Sequence, residues 1–195
     1  MGIVDLLLRL PGGAVYLQDF YELRMTDKEV PIDAAGLLWA CAYKHAKDYL
    51  EGNHLPALIE WTQALNYFRS ICQWKMRLYL DGMDNPHKEY ENERRRLRRE
   101  NAASGDHHAK IRNTPEYLAK AALIATHVLN ILCFISKEEA DPHVAYVSLS
   151  KELVAVTGDS DLLAYGAKKI IVVQSYARGW YRLIDLDADA EPGQY

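Results

Sequence analysis

VPIDAAGLLW, residues 30–39, is the stretch from which the fold is read. The β-branched and apolar run Val30–Ile32 has the length of a strand, and Asp33 closes it. Leu37, Leu38, Cys41, Ala42 and His45 then recur at helical spacing. A strand passing directly into a helix is the repeating unit of an α/β fold. The unit recurs downstream. Leu55, Leu58, Ile59, Leu65, Phe68, Ile71 and Cys72 mark a helix, and Met76, Leu78 and Leu80 then alternate up to Asp81-Gly82. The run Leu153–Val156 is a third strand, leading into Thr157, Gly158, Asp159, Ser160 and Asp161, and Ile170–Val173 is a fourth. These alternations predict an α/β fold, a mostly parallel central sheet flanked by helices on both faces through right-handed crossovers.

The remaining segments fit around this frame. Lys88–Glu100 is a highly charged helix, 101–113 a polar loop, and Thr114-Pro115 caps a helix expected to run on through Ile135. A short helix follows Pro142. With 195 residues, 49% of them hydrophobic and 26% charged, the chain can bury one core, so a single domain is expected over 1–184. Residues 185–195 read as an acidic flexible tail. MGIVDLLLRL carries neither the basic start nor the small-residue cleavage site of a secretory signal, and Ala121–Ile135 is too short for a membrane span. An intracellular protein is expected, nuclear if its source is eukaryotic, with no membrane partner. Cys41, Cys72 and Cys133 sit far apart at apolar positions without CxxC spacing and read as core thiols of a reducing compartment. The pair His107-His108 lacks a third ligand at suitable spacing for a metal.

Asp33, Asp81, Asp159 and Asp161 all follow strand-like runs, so a parallel sheet would deliver them to one edge. Carboxylates at close quarters repel, and an oxygen-only cluster points to Mg²⁺ or Mn²⁺. The alternative is that each is a strand-end or helix-cap aspartate accepting backbone N–H groups. In the charged helix, Lys88, Arg95 and Arg99 share one face within roughly 40°. That face can hold phosphates, or it can be solvated with Glu89, Glu91 and Glu93 as its partners. The formal net charge of −4 speaks against a uniformly basic nucleic-acid surface.

Five segments, MGIVDLLLRL, VPIDAAGLLW, YLDGMDNPHKEYENERRRLRR, EEADPHVAYVSL and AVTGDSDLLAYGA, resemble in content and order the nuclease core of the flap endonuclease, XPG and 5′ exonuclease superfamily. The resemblance implies a PIN-like core. Its N region would span 1–100, a short, basic, partly helical arch or linker 101–113, and its I region 114–184. It implies that Asp33, Asp81, Glu139, Asp141, Asp159 and Asp161 are metal ligands, two ions being held on the scissile phosphate. Lys88 and Arg95 would reach that phosphate, Trp39 would stack on a base, and Gly2, Arg98 and Arg99 would contact substrate. The implied activity is divalent-metal-dependent, structure-specific hydrolysis of DNA at 5′ flaps or 5′ ends in the manner of repair nucleases. Two divalent ions would offset the formal −4. The match extends to neither the helix-hairpin element nor the seventh carboxylate with which that family continues, so a protein partner supplying duplex grip is implied. Gly158 replaces a customary glutamate, and Pro142 interrupts the customary helix start. Two other readings remain open at this level: a PIN-type ribonuclease acting on RNA, and a nuclease-like scaffold that binds protein or RNA without turnover.

Overall fold

The computed structural model describes residues 14–16, 29–82, 89–103, 105–158, 161–175 and 180–186. In chain order the elements are β1 (Ala14–Tyr16), β2 (Glu29–Asp33), α1 (Ala35–Lys44), α2 (Ala46–Leu50), α3 (Leu55–Ser70), β3 (Lys75–Leu80) and α4 (Glu89–Glu100). There follow a 3-10 turn (His108–Lys110), α5 (Pro115–Leu123), a π turn (Ile124–Val128), β4 (Leu132–Ile135), α6 (Asp141–Lys151), β5 (Ala155–Thr157), α7 (Asp161–Ala164), β6 (Lys169–Ser175) and β7 (Trp180–Asp185).

Seven strands form one sheet in the order β1-β7-β6-β5-β2-β3-β4. The block β6-β5-β2-β3-β4 is parallel throughout, and β7 runs antiparallel to both β6 and β1. The α/β class with a mostly parallel sheet is therefore as the alternating pattern predicts.

Side chains alternate across the sheet with period two, and each face feeds its own core. Val30, Ile32, Met76, Leu78, Leu80, Val156, Ile171 and Val173 pack on one face with α1, α3 and α5. Tyr79, Ala155, Ile170 and Val172 pack on the other with Val144 and Ala145 of α6 and Leu162 of α7. Burial on both faces explains why the parallel strands read as continuous apolar runs. In the larger core, polar tips of buried rings are tied to the backbone. Trp61 Nε1 donates to the Ala121 carbonyl at 3.3 Å, and the Tyr117 hydroxyl donates to the Leu38 carbonyl at 3.2 Å. These bonds fasten α1 and α3 to α5 while satisfying groups that would otherwise be costly to bury.

The long helix expected from Thr114-Pro115 to Ile135 does not form. Thr114 does cap α5, its Oγ1 accepting the Tyr117 N–H at 3.3 Å. The helix widens into the π turn, Leu129 N–H reaching the Ile124 carbonyl, and Asn130 at φ +52° ends it. Leu132–Ile135 then pairs in parallel with Arg77–Leu80 as β4, with Phe134 stacked on Tyr79 at 5.4 Å. An apolar run broken only at Thr126, His127 and Asn130 carries no usable period, and the open edge of β3 decides the conformation of its end. The strands β1, β4 and β7 are additions to the four read from sequence. Asp185, placed at the head of the acidic tail, is the last residue of β7 and pairs with Lys169 at 2.7 Å. The rest of that tail, like MGIVDLLLRL, lies outside the described residues. No helix among the described residues is long and apolar enough to cross a membrane. Cys41 and Cys72 are buried and Cys133 partly so, and burial pushes each thiol up to about 12.

Candidate active site

The chain runs outward from β2 through β3 to β4, then returns to the other side of β2 with β5 and β6. The reversal falls between β2 and β5, and open α/β sheets form their sites beyond the carboxyl ends of the strands at such a point. The sequence places its acids at these ends. Asp33 is the last residue of β2, Asp81 follows β3, Glu139 lies on the connection from β4 to α6, Asp141 opens α6, and Asp161 opens α7 after β5. Four adjacent strands thus each deliver a carboxylate to one edge.

Asp33 is buried, 9% exposed. Its Oδ2 accepts from the Thr157 hydroxyl at 3.2 Å and its Oδ1 from the Ala35 N–H at 3.3 Å. The carboxylate is therefore fixed by β5 on one side and the first turn of α1 on the other. Asp81 is exposed, and its Oδ1 accepts the Ala140 N–H at 2.9 Å. Gly82 lies beside it, donating to the Glu138 carbonyl at 2.6 Å. A Cβ on Gly82 would be driven into the carbonyl oxygens of Ser136 and Lys137. The close approach that joins the Asp81 and Glu139 segments therefore requires glycine. The Tyr165 hydroxyl, from the end of α7, reaches Glu139 Oε2 at 3.4 Å.

An all-oxygen donor set of this kind suits a hard divalent cation. Among the described residues, no three His, Cys, Asp or Glu side chains close into a cage around a cation. Asp159 lies outside the described residues, as do Lys88 and Gly2. The observed hydrogen bonds of Asp33 and Asp81 are of the kind the strand-end alternative describes, and they also orient both carboxylates at the sheet edge.

A cleft of about 1590 Å³ reaches this edge and is lined by Asp81 and Glu138, by α1 and α4, and by the 106–113 segment. Arg95, Arg98 and Arg99 line it from α4. The two readings of this helix both apply, to different residues. Arg96 is taken up by Glu93 and Glu100, bonding to them at 2.8 and 2.7 Å, which raises the guanidinium and lowers Glu93. Arg99 is instead partly buried near Arg112 and Arg95, and burial first, then these like charges, lower it. A cationic group crowded by cations is poised for an anion.

Trp39, half-exposed at 40%, faces this cleft and not the core. It contacts Tyr43 one turn along α1 at a ring separation of 4.8 Å, and Tyr43 stacks on His108 at 4.2 Å. Sequence reasoning missed Tyr43, His108, Arg112 and Asn113 as cleft residues. The i, i+4 spacing of Trp39 and Tyr43 was a signal for the first. Nothing local pointed to the others, which the 101–113 segment brings back by folding against α1, with Asn113 Nδ2 donating to the Ala35 carbonyl at 3.4 Å.

The same architecture occurs in solved nucleases. The structure superposes on the catalytic core of Rad2 in complex with a DNA substrate with a TM-score of 0.64 at 16% identity, over 91% of this chain and 52% of that one. For the flap endonuclease-1 of Methanococcus jannaschii the TM-score is 0.63 at 15% identity, over 92% of this chain and 62% of that one. For the Holliday junction-resolving enzyme GEN1, in complex with product DNA and Mg²⁺, it is 0.58 at 15% identity, over 93% and 39%. This chain has the fold of those nuclease cores. It spans about half the length of the Rad2 core. No protein-family model matches the sequence.

Proposed function

We propose that this chain is a divalent-metal-dependent, structure-specific 5′ nuclease that hydrolyses phosphodiester bonds in DNA at flaps or 5′ ends. The observation that carries the reading is the arrival of carboxylates from four adjacent strands at one sheet edge, one of them, Asp81, lining a cleft that also holds arginines and stacked rings. Asp33, Asp81, Glu139, Asp141, Asp159 and Asp161 are the residues that would hold Mg²⁺ or Mn²⁺. Two such ions, when bound, would lower the pKa of an attacking water and neutralise charge on the attacking and leaving oxygens. The chain's own part is positioning. Arg95 and Arg99, with Lys88, take phosphates, Arg98 adds to the backbone contacts, and the Trp39 ring offers a face to an unpaired base. Gly2 is proposed to sit close to the substrate end.

The test is cleavage of labelled 5′-flap, blunt duplex and single-stranded DNA, with RNA of the same sequence, with and without Mg²⁺. Metal-dependent cutting of the flap above the others is expected. Cutting confined to RNA would make the chain a PIN-type ribonuclease. Binding without cutting would make it a scaffold.

A further inference from the structure

One edge of the sheet is open and apolar. β4 ends the strand order, and no further strand pairs with it among the described residues. The Ser136 N–H donates to the Leu80 carbonyl at 2.9 Å. Backbone groups of alternate residues turn to alternate sides of a strand, so Leu132 and Phe134 face β3 as Ser136 does, and Cys133 and Ile135 turn their N–H and C=O groups outward. Such a row is a template for another strand, and sheet edges are normally blunted by a lysine, a proline or a bulge. The run Leu132–Ile135 has none of these, and its pairing with β3 is regular. Leu132, Phe134 and Ile135 are 53%, 43% and 48% exposed, whereas Leu78 and Leu80 on the neighbouring strand are fully buried.

Register and charge specify what covers this edge. An antiparallel neighbour makes its closely spaced bonds between residues that both turn outward. Cys133 set against Ile135 of a second copy, and Ile135 against Cys133 of that copy, meets the condition about a two-fold axis. Every outward N–H and C=O of Cys133 and Ile135 is then satisfied. The axis passes at Phe134, which faces Phe134 of the second copy at a non-hydrogen-bonded position, where opposed side chains are closest. The ends of the strand match as well. At its amino end stand Arg69, which donates to the Leu129 carbonyl at 2.7 Å, and exposed Lys75 at the start of β3. At its carboxyl end Asp81, Glu138 and Glu139 outnumber Lys137. Antiparallel pairing brings basic end to acidic end, and parallel pairing would bring like to like.

We propose that this chain forms a two-fold dimer by antiparallel pairing of β4 with β4 of a second copy, which joins the two sheets into one. The interface is isologous and closes at two copies. Because the paired strands run in opposite directions, the two acidic edges lie at opposite ends of the joined sheet. The dimer does not depend on the nuclease reading.

The test is sedimentation equilibrium of the full chain from about 2 to about 200 µM without added metal. A monomer–dimer equilibrium is expected, with a dissociation constant in the micromolar range for so short an edge. Ile135→Lys puts a charge on the edge and should raise that constant about tenfold or more. Tyr146→Lys, on the exposed side of α6, should leave it unchanged. Thermal melts confirm that each variant is folded. Cross-linking then reads the register. In a Cys133→Ser background, Phe134→Cys should give an intermolecular disulfide with oxidised glutathione, since residues opposed at that position stand about 4.5 Å apart. Val128→Cys, more exposed but away from the axis, should not. Should Phe134→Cys lose its fold with its contact on Tyr79, Ile135→Cys, which faces native Cys133 of the second copy, repeats the test. A chain still monomeric at about 200 µM, or a dimer that Ile135→Lys leaves intact, overturns the proposal. A dimer that cross-links through Val128→Cys and through neither Phe134→Cys nor Ile135→Cys overturns the pairing of β4 with β4.

Discussion

Replacing Gly82 by alanine adds one methyl group where the structure has no room for it. The ideal Cβ position falls against the carbonyl oxygens of Ser136 and Lys137, both backbone, so no flexible side chain can yield. Either the Asp81-Gly82 turn or the 136–140 segment must move. That movement strains the Gly82 N–H bond to the Glu138 carbonyl at 2.6 Å and the Ala140 N–H bond to Asp81 Oδ1 at 2.9 Å. Overpacking costs about 1–3 kcal/mol and each of the two weakened bonds about 0.5–1.5 kcal/mol, so a loss of about 4 kcal/mol is the central expectation. For a chain of this size that lowers Tm by about 8–16 °C. Gly105 is the internal control, since a Cβ there meets nothing within 4 Å. Gly105→Ala should stay within about 0.5 kcal/mol of wild type. Thermal melts of both variants, with single-turnover cleavage per folded molecule, make the assay. Under the nuclease reading, Gly82→Ala loses more rate than its folded fraction explains, because the moved segments carry Asp81, Glu139 and Asp141. A Gly82→Ala protein that melts with wild type, or no earlier than Gly105→Ala, would refute the packing argument.

Four further outcomes follow from the same geometry. Asp161→Asn should leave the metal-free melt unchanged or slightly raised and abolish metal-dependent cleavage; a variant destabilised by about 0.5–2 kcal/mol yet active would mark Asp161 as a cap. Arg95→Ala and Lys88→Ala should each reduce single-turnover cleavage well beyond their loss of DNA affinity, and equal losses would make α4 a docking face only. Glu29 is lowered by its hydrogen bond from Lys151, with Arg77 adding to the effect. Its pairing therefore stabilises the fold above the ordinary glutamate range and is lost as pH falls through the lower folded value, so the Tm gap between wild type and Glu29→Gln should close on acidification; a gap constant with pH counts against the pairing. Cys41, Cys72 and Cys133, each pushed up to about 12 by burial, should resist alkylation in the native chain at pH 8 and react on unfolding.

The legibility of this fold in its sequence divides along a physical line. β2, β3, β5 and β6 were readable because burial on both faces makes each a short apolar run, and a turn or an aspartate ends it. The acids were readable for the same reason, since a strand's end in sequence is its carboxyl edge in space. β4 was not readable: residues 121–135 are apolar but for Thr126, His127 and Asn130, and what separates helix from strand there is the φ of +52° at Asn130 and the docking of Phe134 on Tyr79. β7 carries the acid Asp185 at its end, and its pairing with β6 is a tertiary fact that composition obscured. In the cleft, Arg95 and Arg99 were legible from helical phase, whereas Arg112 and His108 enter through a loop whose path no period records.

Net charge was the least informative number in the chain, and the structure gives the reason. The formal −4 averages acids at the sheet edge with arginines that line the cleft reaching it at Asp81. Over a Debye length of about 8 Å at physiological salt, an approaching polyanion responds to the nearer group and not to the sum. Arg95, Arg98, Arg99 and Arg112 line the cleft together with Asp81. A phosphate chain is drawn to the arginines and repelled from the acidic edge until cations occupy it, so metal should change the mode of DNA binding as well as the rate of cutting. The expected outcome is measurable by titrating a 5′-flap substrate against Asp161→Asn with Ca²⁺ as a non-hydrolytic cation and without it. Wild-type affinity should rise by about tenfold or more with the ion, the equivalent of relieving one close like-charge contact of about 1.4 kcal/mol, and the variant should gain less. Equal affinity with and without the cation would mean that the acids lie outside the reach of bound DNA.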